Sequence, residues 1–395
     1  MAVISARRSG LPAWVAALLP LGAIAALVAL FLVLNPIGDL REVPPVEAIA
    51  FERTILKEEG IQLRVRNDGP DPVTISQVLV NDAYWTFSAP NRTLGRLDTT
   101  TVSVPYPWEE GLPLDIALIT STGLPIVHSI EAAALTPEPD ASTLGIYALL
   151  GLYIGVIPVA VGLLWFPSLA RAGAGLLNFF LALTVGLLAF LLVDTVAEGL
   201  ELSAEAPAVL NGLGLFAMGA LGAVLVLSAL EARLRRTSQG EGAAALNGLA
   251  LAYLIAAGIG LHNMGEGLAV GAALATGETA LGTFLVLGFA LHNTTEGLAI
   301  VSPLGRDATR PSLWHFAALG AVAGAPTILG AWPGGFAFSP AWAALAFGVA
   351  AGAIAQVLWQ IGRSMSGGRG LVTKLGPAGF LAGFLLMYVT GLFVA

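Results

Sequence analysis

Residues 261–300 read LHNMGEGLAVGAALATGETALGTFLVLGFALHNTTEGLAI, and the phrase LHNxxEGLA occurs in them twice, 30 residues apart. In each copy the His and the Glu are four apart, so both side chains lie on one face of a helix, one turn from each other. Asn263 and Asn293 sit about 100° round from their His. Apart from the turn ATGETA and Thr283, everything between the two phrases is Ala, Leu, Gly, Val and Phe, so the stretch reads as two apolar helices joined in a hairpin. The mirror point lies near residue 279, which sets His262 level with Glu296 and Glu266 level with His292. Counting back from Gly277, Glu266 is 11 residues into its helix. That is roughly 16 Å at 1.5 Å per residue, about half of a ~30 Å hydrocarbon core.

The rest of the chain agrees with a membrane setting. With 395 residues, 56% hydrophobic and 11% charged, and a mean hydropathy of +0.82, it carries more apolar surface than a soluble protein could hide. It is read as a polytopic α-helical membrane protein. There is no cysteine, hence no disulfide framework and no thiolate ligand, and metal chemistry falls to the four His, the carboxylates and the amides. The net charge of −8 and the lack of basic stripes argue against a nucleic-acid partner. No GxxxxGK[ST] loop occurs, so ATP hydrolysis within this chain is not a driver.

Arg7 and Arg8 precede an apolar run from Leu11 to Leu34, read as an uncleaved anchor helix with a cytoplasmic N-terminus (residues 1–34). Residues 35–141 change texture: GIQLRVRNDG, PVTISQVLV, AYWTFSA, TTTVSVPY, PLDIALIT and LPIVHSIEA alternate in period two, which predicts an extracytoplasmic, immunoglobulin-like β-sandwich. From 142 to 395 the apolar runs resume at roughly 144–167, 174–198, 209–231, 246–274, 280–303, 312–332, 341–362 and 375–395, eight transmembrane candidates beyond the anchor. Of 18 basic residues, 7 lie in the β-region between Arg41 and Arg96. The other 11, at Arg7, Arg8, Arg171, Arg233, Arg235, Arg236, Arg306, Arg310, Arg363, Arg369 and Lys374, all fall on one side in this topology, as the positive-inside rule requires. A plasma-membrane protein with the β-region and the C-terminus outside follows.

An ionised carboxylate at the midplane costs at least ~2.5 kcal/mol, so two of them need a compensating cation or protons. Two His nitrogens and two Glu oxygens around a divalent ion supply that compensation. Interhelical hydrogen bonding as packing glue is the plainer alternative, but glue does not require imidazole and carboxylate at one spacing twice. Asp194 and Glu198, again four apart at the outer end of the second run, form an acidic mouth with Glu201 and Glu205 following into the external loop. His315 reads as an interfacial or packing histidine and His128 as a structural strand residue.

HNMGEG followed one helix later by HNTTEG resembles the paired metal-binding signatures of the ZIP family of divalent metal transporters, approximately HNxPEG in the fourth helix and HExPEG or a relative in the fifth. The resemblance covers about residues 142–395, with LLVDTVAEGL in the second helix, and leaves out the anchor and the β-region. It implies an eight-helix bundle with a midplane ion path, often in a homodimer. The metal ligands it implies are His262, Asn263, Glu266, His292, Asn293 and Glu296. The cargo would be Zn²⁺ first, with Fe²⁺, Mn²⁺ and Cd²⁺ as alternatives, moving toward the cytoplasm. Where the family has Pro this chain has Gly265 and Thr295, which weakens the expected local unwinding at the Asn carbonyls. Asn293 replaces a common acidic neighbour, and the sixth and seventh helices hold no Asp or Glu; Gln356 and Gln360 are the nearest substitutes, as second-shell or path residues. One bound ion, balanced by Glu266 and Glu296, is therefore expected rather than two. The chain is not read as an enzyme: an intramembrane metallohydrolase would want an HExxH helix, and none occurs. A metal sensor that sets the posture of the β-region is the other alternative.

Overall fold

The computed structural model describes residues 13–34, 45–237, 248–275, 279–306, 310–366 and 375–392. Arg7, Arg8, Arg41, Arg369, Lys374 and residues 276–278 of the ATGETA turn lie outside the described residues. Helix α1 (Ala13–Leu34) belongs to a unit of its own, Met1–Val46, and residues 47–395 form a second compact unit.

The second unit opens with eight strands: β1 (Ile49–Lys57), β2 (Gly60–Asn67), β3 (Val73–Val80), β4 (Ala83–Trp85), β5 (Thr93–Leu94), β6 (Thr99–Val104), β7 (Leu114–Thr120) and β8 (Pro125–Ile130). They make two antiparallel sheets, one ordered β1-β2-β6 and the other β4-β3-β7-β8 with β5 added beside β3. Alternate residues of β2, β3, β6 and β7 are buried, and Leu63, Val65, Ile75, Val78, Val102, Ile116 and Leu118 from both sheets share one core. The period-two segments of the sequence thus fall on strands, with β1 and β5 in addition. Strand β1 escaped the pattern because a bulge between Phe51 and Arg53 breaks its alternation. His128 on β8 stacks on Phe51 at 4.7 Å, with its Nε2 2.9 Å from Thr54 Oγ1, and burial lowers its pKa; it is a structural residue, as expected.

The helical part follows: α2 (Ala141–Gly151), a π-helical turn Leu152–Val156, α3 (Ile157–Leu163), α4 (Phe166–Leu169), α5 (Ala174–Glu205), α6 (Gly212–Thr237), α7 (Gly248–Ala275), α8 (Thr279–Val301), α9 (Leu313–Gly324), α10 (Pro326–Ala337), α11 (Pro340–Ser366) and α12 (Gly376–Gly391). Among the described residues, seven helical stretches are long and apolar enough to cross a membrane, and Leu18–Phe31 and Gly376–Gly391 are shorter apolar helices. A multi-pass α-helical membrane protein follows from these lengths. Two sequence boundaries need correction. Helix α5 runs unbroken to Glu205, so Glu201 and Glu205 sit on the helix rather than in a loop. Helix α6 continues to Thr237, past the run's end at Glu231, which is buried.

Lipid tails are as apolar as leucine, so helices in a membrane gain by close backbone approach at small residues rather than by burying apolar surface from water. Gly348 and Gly352 of α11 lie against the Phe216 and Ala220 carbonyls of α6 in this way, and Gly186 and Gly383 join α5 to α12. Helices α7, α8 and α11 are the most enclosed. Leu221, Leu225 and Val226 of α6 stay about two-thirds exposed, the surface a bilayer covers.

One contact ties the sheets to the bundle. Asp68 accepts from the amides of Ala208 and Val209, at 2.8 and 2.7 Å, in the connection between α5 and α6. Its turn is held from behind by Asn67, whose side chain donates to the Asp71 and Leu94 carbonyls and accepts from the Gly69 amide.

Candidate metal centre

The doubled phrase lies on two adjacent helices, His262 and Glu266 on α7, His292 and Glu296 on α8. Each of the four offers a ligand atom, and these atoms all lie within 4.8 Å of one another. All four residues are buried, none more than 5% exposed. His292 Nε2 is hydrogen-bonded to Glu266 Oε1, the cross-helix pairing that the hairpin mirror predicts. His262 departs from that symmetry: its Nε2 stands 3.3 Å from the same Glu266 oxygen, on its own helix, as well as near Glu296.

The remaining letters of HNxxEG each have a structural reason. Both Asn side chains donate outward to a backbone carbonyl of an irregular neighbouring helix. Asn263 Nδ2 donates to Ala323 O at 3.1 Å, beside the break that Pro326 makes between α9 and α10. Asn293 Nδ2 donates to Ile154 O, inside the π-turn, and to Glu266 Oε2, both at 2.8 Å. Both glycines seat the hairpin against those same neighbours. A Cβ on Gly267 would collide with the Thr327 carbonyl of α10, and one on Gly297 with the Val159 carbonyl of α3. The two copies are thus related in surroundings as well as in letters, α7 lying on α9 and α10, and α8 on the π-turn and α3.

Helices α7 and α8 run regularly through Asn263 and Asn293, so no unwinding turns their backbone carbonyls inward. In place of the family's proline, Gly265 faces the Phe347 ring, and Thr295 Oγ1 donates to His292 O at 2.6 Å. What the amides leave for the site is their oxygens. Asn263 Oδ1, Asn293 Oδ1, His262 Nε2 and both oxygens of Glu296 are buried without a hydrogen-bond partner among the described residues. Five such atoms in one place, all lone-pair bearers, are what a cation would satisfy and what an empty dry interior would penalise. Two carboxylates match the charge of one divalent ion, and a set of imidazole nitrogens with carboxylate and amide oxygens suits borderline metals such as Zn²⁺.

A cavity of about 240 Å³ is lined by His262, Glu266 and His292 of this cluster, by Asp194 and Glu198 of α5, and by Phe190, Phe289 and Phe347. The sequence placed Asp194 and Glu198 at the mouth, and they share this cavity. Both residues are exposed in the isolated chain, and their charges act through attraction rather than as a closed site. Asp194→Asn is expected to raise the half-saturating metal concentration several-fold with little change in maximal rate; an unchanged value would make Asp194 an ordinary helix-end residue.

Gln356 and Gln360 are read from the sequence as second-shell or path residues. They are buried on α11 but do not line the cavity, and Gln356 Nε2 donates to Glu231 Oε2 at 3.2 Å. That bond joins α11 to α6. His315 Nδ1 lies 2.9 Å from Tyr253 Oη, a packing contact as expected.

Thr195 is the residue that sequence reasoning missed. It is buried on α5, one residue beyond Asp194, and its Oγ1 lies 3.0 Å from His262 Nδ1 and 2.7 Å from Leu191 O. The only hint in the sequence is its place inside LLVDTVAEGL, where a threonine among apolar residues reads equally well as filler. No protein-family model matches this chain, and no curated protein matches it in sequence.

Proposed function

We propose that this protein is a transporter of divalent transition-metal cations of the ZIP kind, Zn²⁺ first among its cargoes and Fe²⁺, Mn²⁺ and Cd²⁺ as alternatives. The observation that carries the reading is the buried His262, Glu266, His292, Glu296 cluster with ligand atoms within 4.8 Å of one another, beside a cavity that Asp194 and Glu198 also line. An arriving ion is concentrated by Asp194 and Glu198 and sheds water along the aromatic wall. It is then held by His262 Nε2, His292 and the two glutamates, with the amide oxygens of Asn263 and Asn293 in reserve. Neutrality at the site needs one ion and both carboxylates ionised. The direction, toward the cytoplasm, and the plasma-membrane placement with the β-region outside rest on the family resemblance and on charge placement in the loops. The two-sheet core supports an immunoglobulin-like reading of the β-region.

Metal flux into proteoliposomes, with metal-to-protein stoichiometry on the purified chain, tests the reading. Saturable Zn²⁺ flux and one tightly held ion per chain are expected. Two tightly held ions would refute the single balanced site, and binding without flux would refute transport. That last outcome would favour the second reading, a metal sensor, which the hook from Asp68 to the amides of Ala208 and Val209 makes concrete. Through it the β-region holds the connection that follows the helix carrying Asp194 and Thr195.

A further inference from the structure

We infer that Thr195 is a positioning residue that locks His262 in the tautomer able to bind a cation. A hydroxyl has one hydrogen and two lone pairs. Thr195 Oγ1 gives its hydrogen to Leu191 O at 2.7 Å, the carbonyl one turn back on its own helix. Toward His262 Nδ1, 3.0 Å away, it is left with only a lone pair, so Nδ1 carries the proton and donates. The other ring nitrogen, Nε2, is then bare. It is the atom that faces the cluster, 3.3 Å from Glu266 Oε1 and without a hydrogen-bond partner among the described residues. Two contacts thus determine one proton's position: the helix holds the threonine's hydrogen, and the threonine holds the imidazole's.

Without that hydroxyl the preference reverses. Glu266 becomes the best acceptor within reach of the ring, the proton moves to Nε2, and the nitrogen that should meet the ion is blocked. Partners of this kind behind metal-binding histidines typically change affinity about 10–100-fold when removed. The contact also joins the mouth to the site, because Thr195 follows Asp194 on α5 while His262 stands on α7. This inference rests on reading the His/Glu cluster as a divalent-ion site, and its test separates the two.

The variants are Thr195→Val, which keeps the shape and loses the hydroxyl, Thr195→Ser, which keeps the hydroxyl, and Thr195→Ala, which serves if valine disturbs the helix packing. In ¹⁵N spectra of the metal-free, histidine-labelled full chain, the His262 signals are identified by their loss in His262→Gln. Wild type and Thr195→Ser should show a protonated Nδ1 and a bare Nε2, and Thr195→Val should move the proton to Nε2. Zn²⁺ affinity of the purified chain should fall about 10–100-fold in Thr195→Val and be retained in Thr195→Ser. A His262 that keeps its Nδ1 proton in Thr195→Val and Thr195→Ala, or a Zn²⁺ affinity equal to wild type in both, overturns the assignment. Failure of the metal reading looks different: wild type binds no Zn²⁺, while the ring signature still answers to Thr195.

Discussion

Glu266→Gln will abolish metal transport while leaving the chain folded and inserted. The substitution keeps the size of the side chain and removes one of the two charges that balance the ion. One unit charge about 4 Å from another contributes ~4 kcal/mol at an effective dielectric near 20, about three orders of magnitude in affinity. Glu266 is also the group on which the site converges. One of its oxygens holds His292 Nε2 and stands 3.3 Å from His262 Nε2, and the other accepts from Asn293. Uptake of Zn²⁺ by proteoliposomes and binding to the purified chain should both be lost, and His292→Ala should lose both as well. Wild-type rates in the two variants would show that the ion passes elsewhere.

Gly297→Val will destabilise the membrane part of the protein by about 3 kcal/mol, the upper range for overpacking, because the obstacle is backbone and cannot rotate away. A Cβ at Gly297 meets the Val159 carbonyl and the Gly162 backbone of α3, so the two helices must separate. Glu296 is the preceding residue, and the same displacement carries its carboxylate out of the cluster, so Zn²⁺ binding should fall with stability. Gly222→Val on α6 is the control, since nothing lies within 4 Å of a Cβ there. Thermal unfolding of the solubilised chain, read beside Zn²⁺ affinity, makes the comparison. Equal stability of the two variants would mean that α3 and α8 are not in backbone contact.

The two predictions address different letters of one phrase. In HNxxEG the charges and imidazoles make the site, the glycine sets how closely the hairpin sits against its neighbours, and the asparagine connects them. Each asparagine donates to a carbonyl where the neighbouring helix is irregular, the π-turn for Asn293 and the approach to Pro326 for Asn263. A buried carbonyl near a helix break needs a donor, and a side-chain amide can supply one while keeping its oxygen for the ion. That division explains why an asparagine, rather than a third charge, follows the histidine in both copies.

Some of this was legible from residue spacing alone. His and Glu four apart fall on one face of any helix, and two copies about a short turn must meet if the helices are antiparallel. So the cluster, the helical membrane character and most of the strands could be read from local periodicity and composition. Asp194 and Glu198 were legible from the same four-residue spacing, although α5 runs on past them to Glu205. Local pattern misleads where a segment's partner is remote. Strand β1 lost its alternation to a bulge, and Glu231, closing an apolar run beside arginines, gave no sign of a partner. It is buried because Gln356, 125 residues away, donates to it.

The sequence by itself therefore determined which chemical groups share a helix face, since an α-helix repeats every 3.6 residues whatever surrounds it. Only the tertiary structure decided which of those groups touch. It set His262 beside the glutamate of its own helix as well as near that of the other, gave its Nδ1 to Thr195, and turned each asparagine toward a neighbouring helix. Such contacts depend on interhelical distance and rotation, and those are set by where glycines let one backbone lie against another, a property of helix pairs rather than of any one segment.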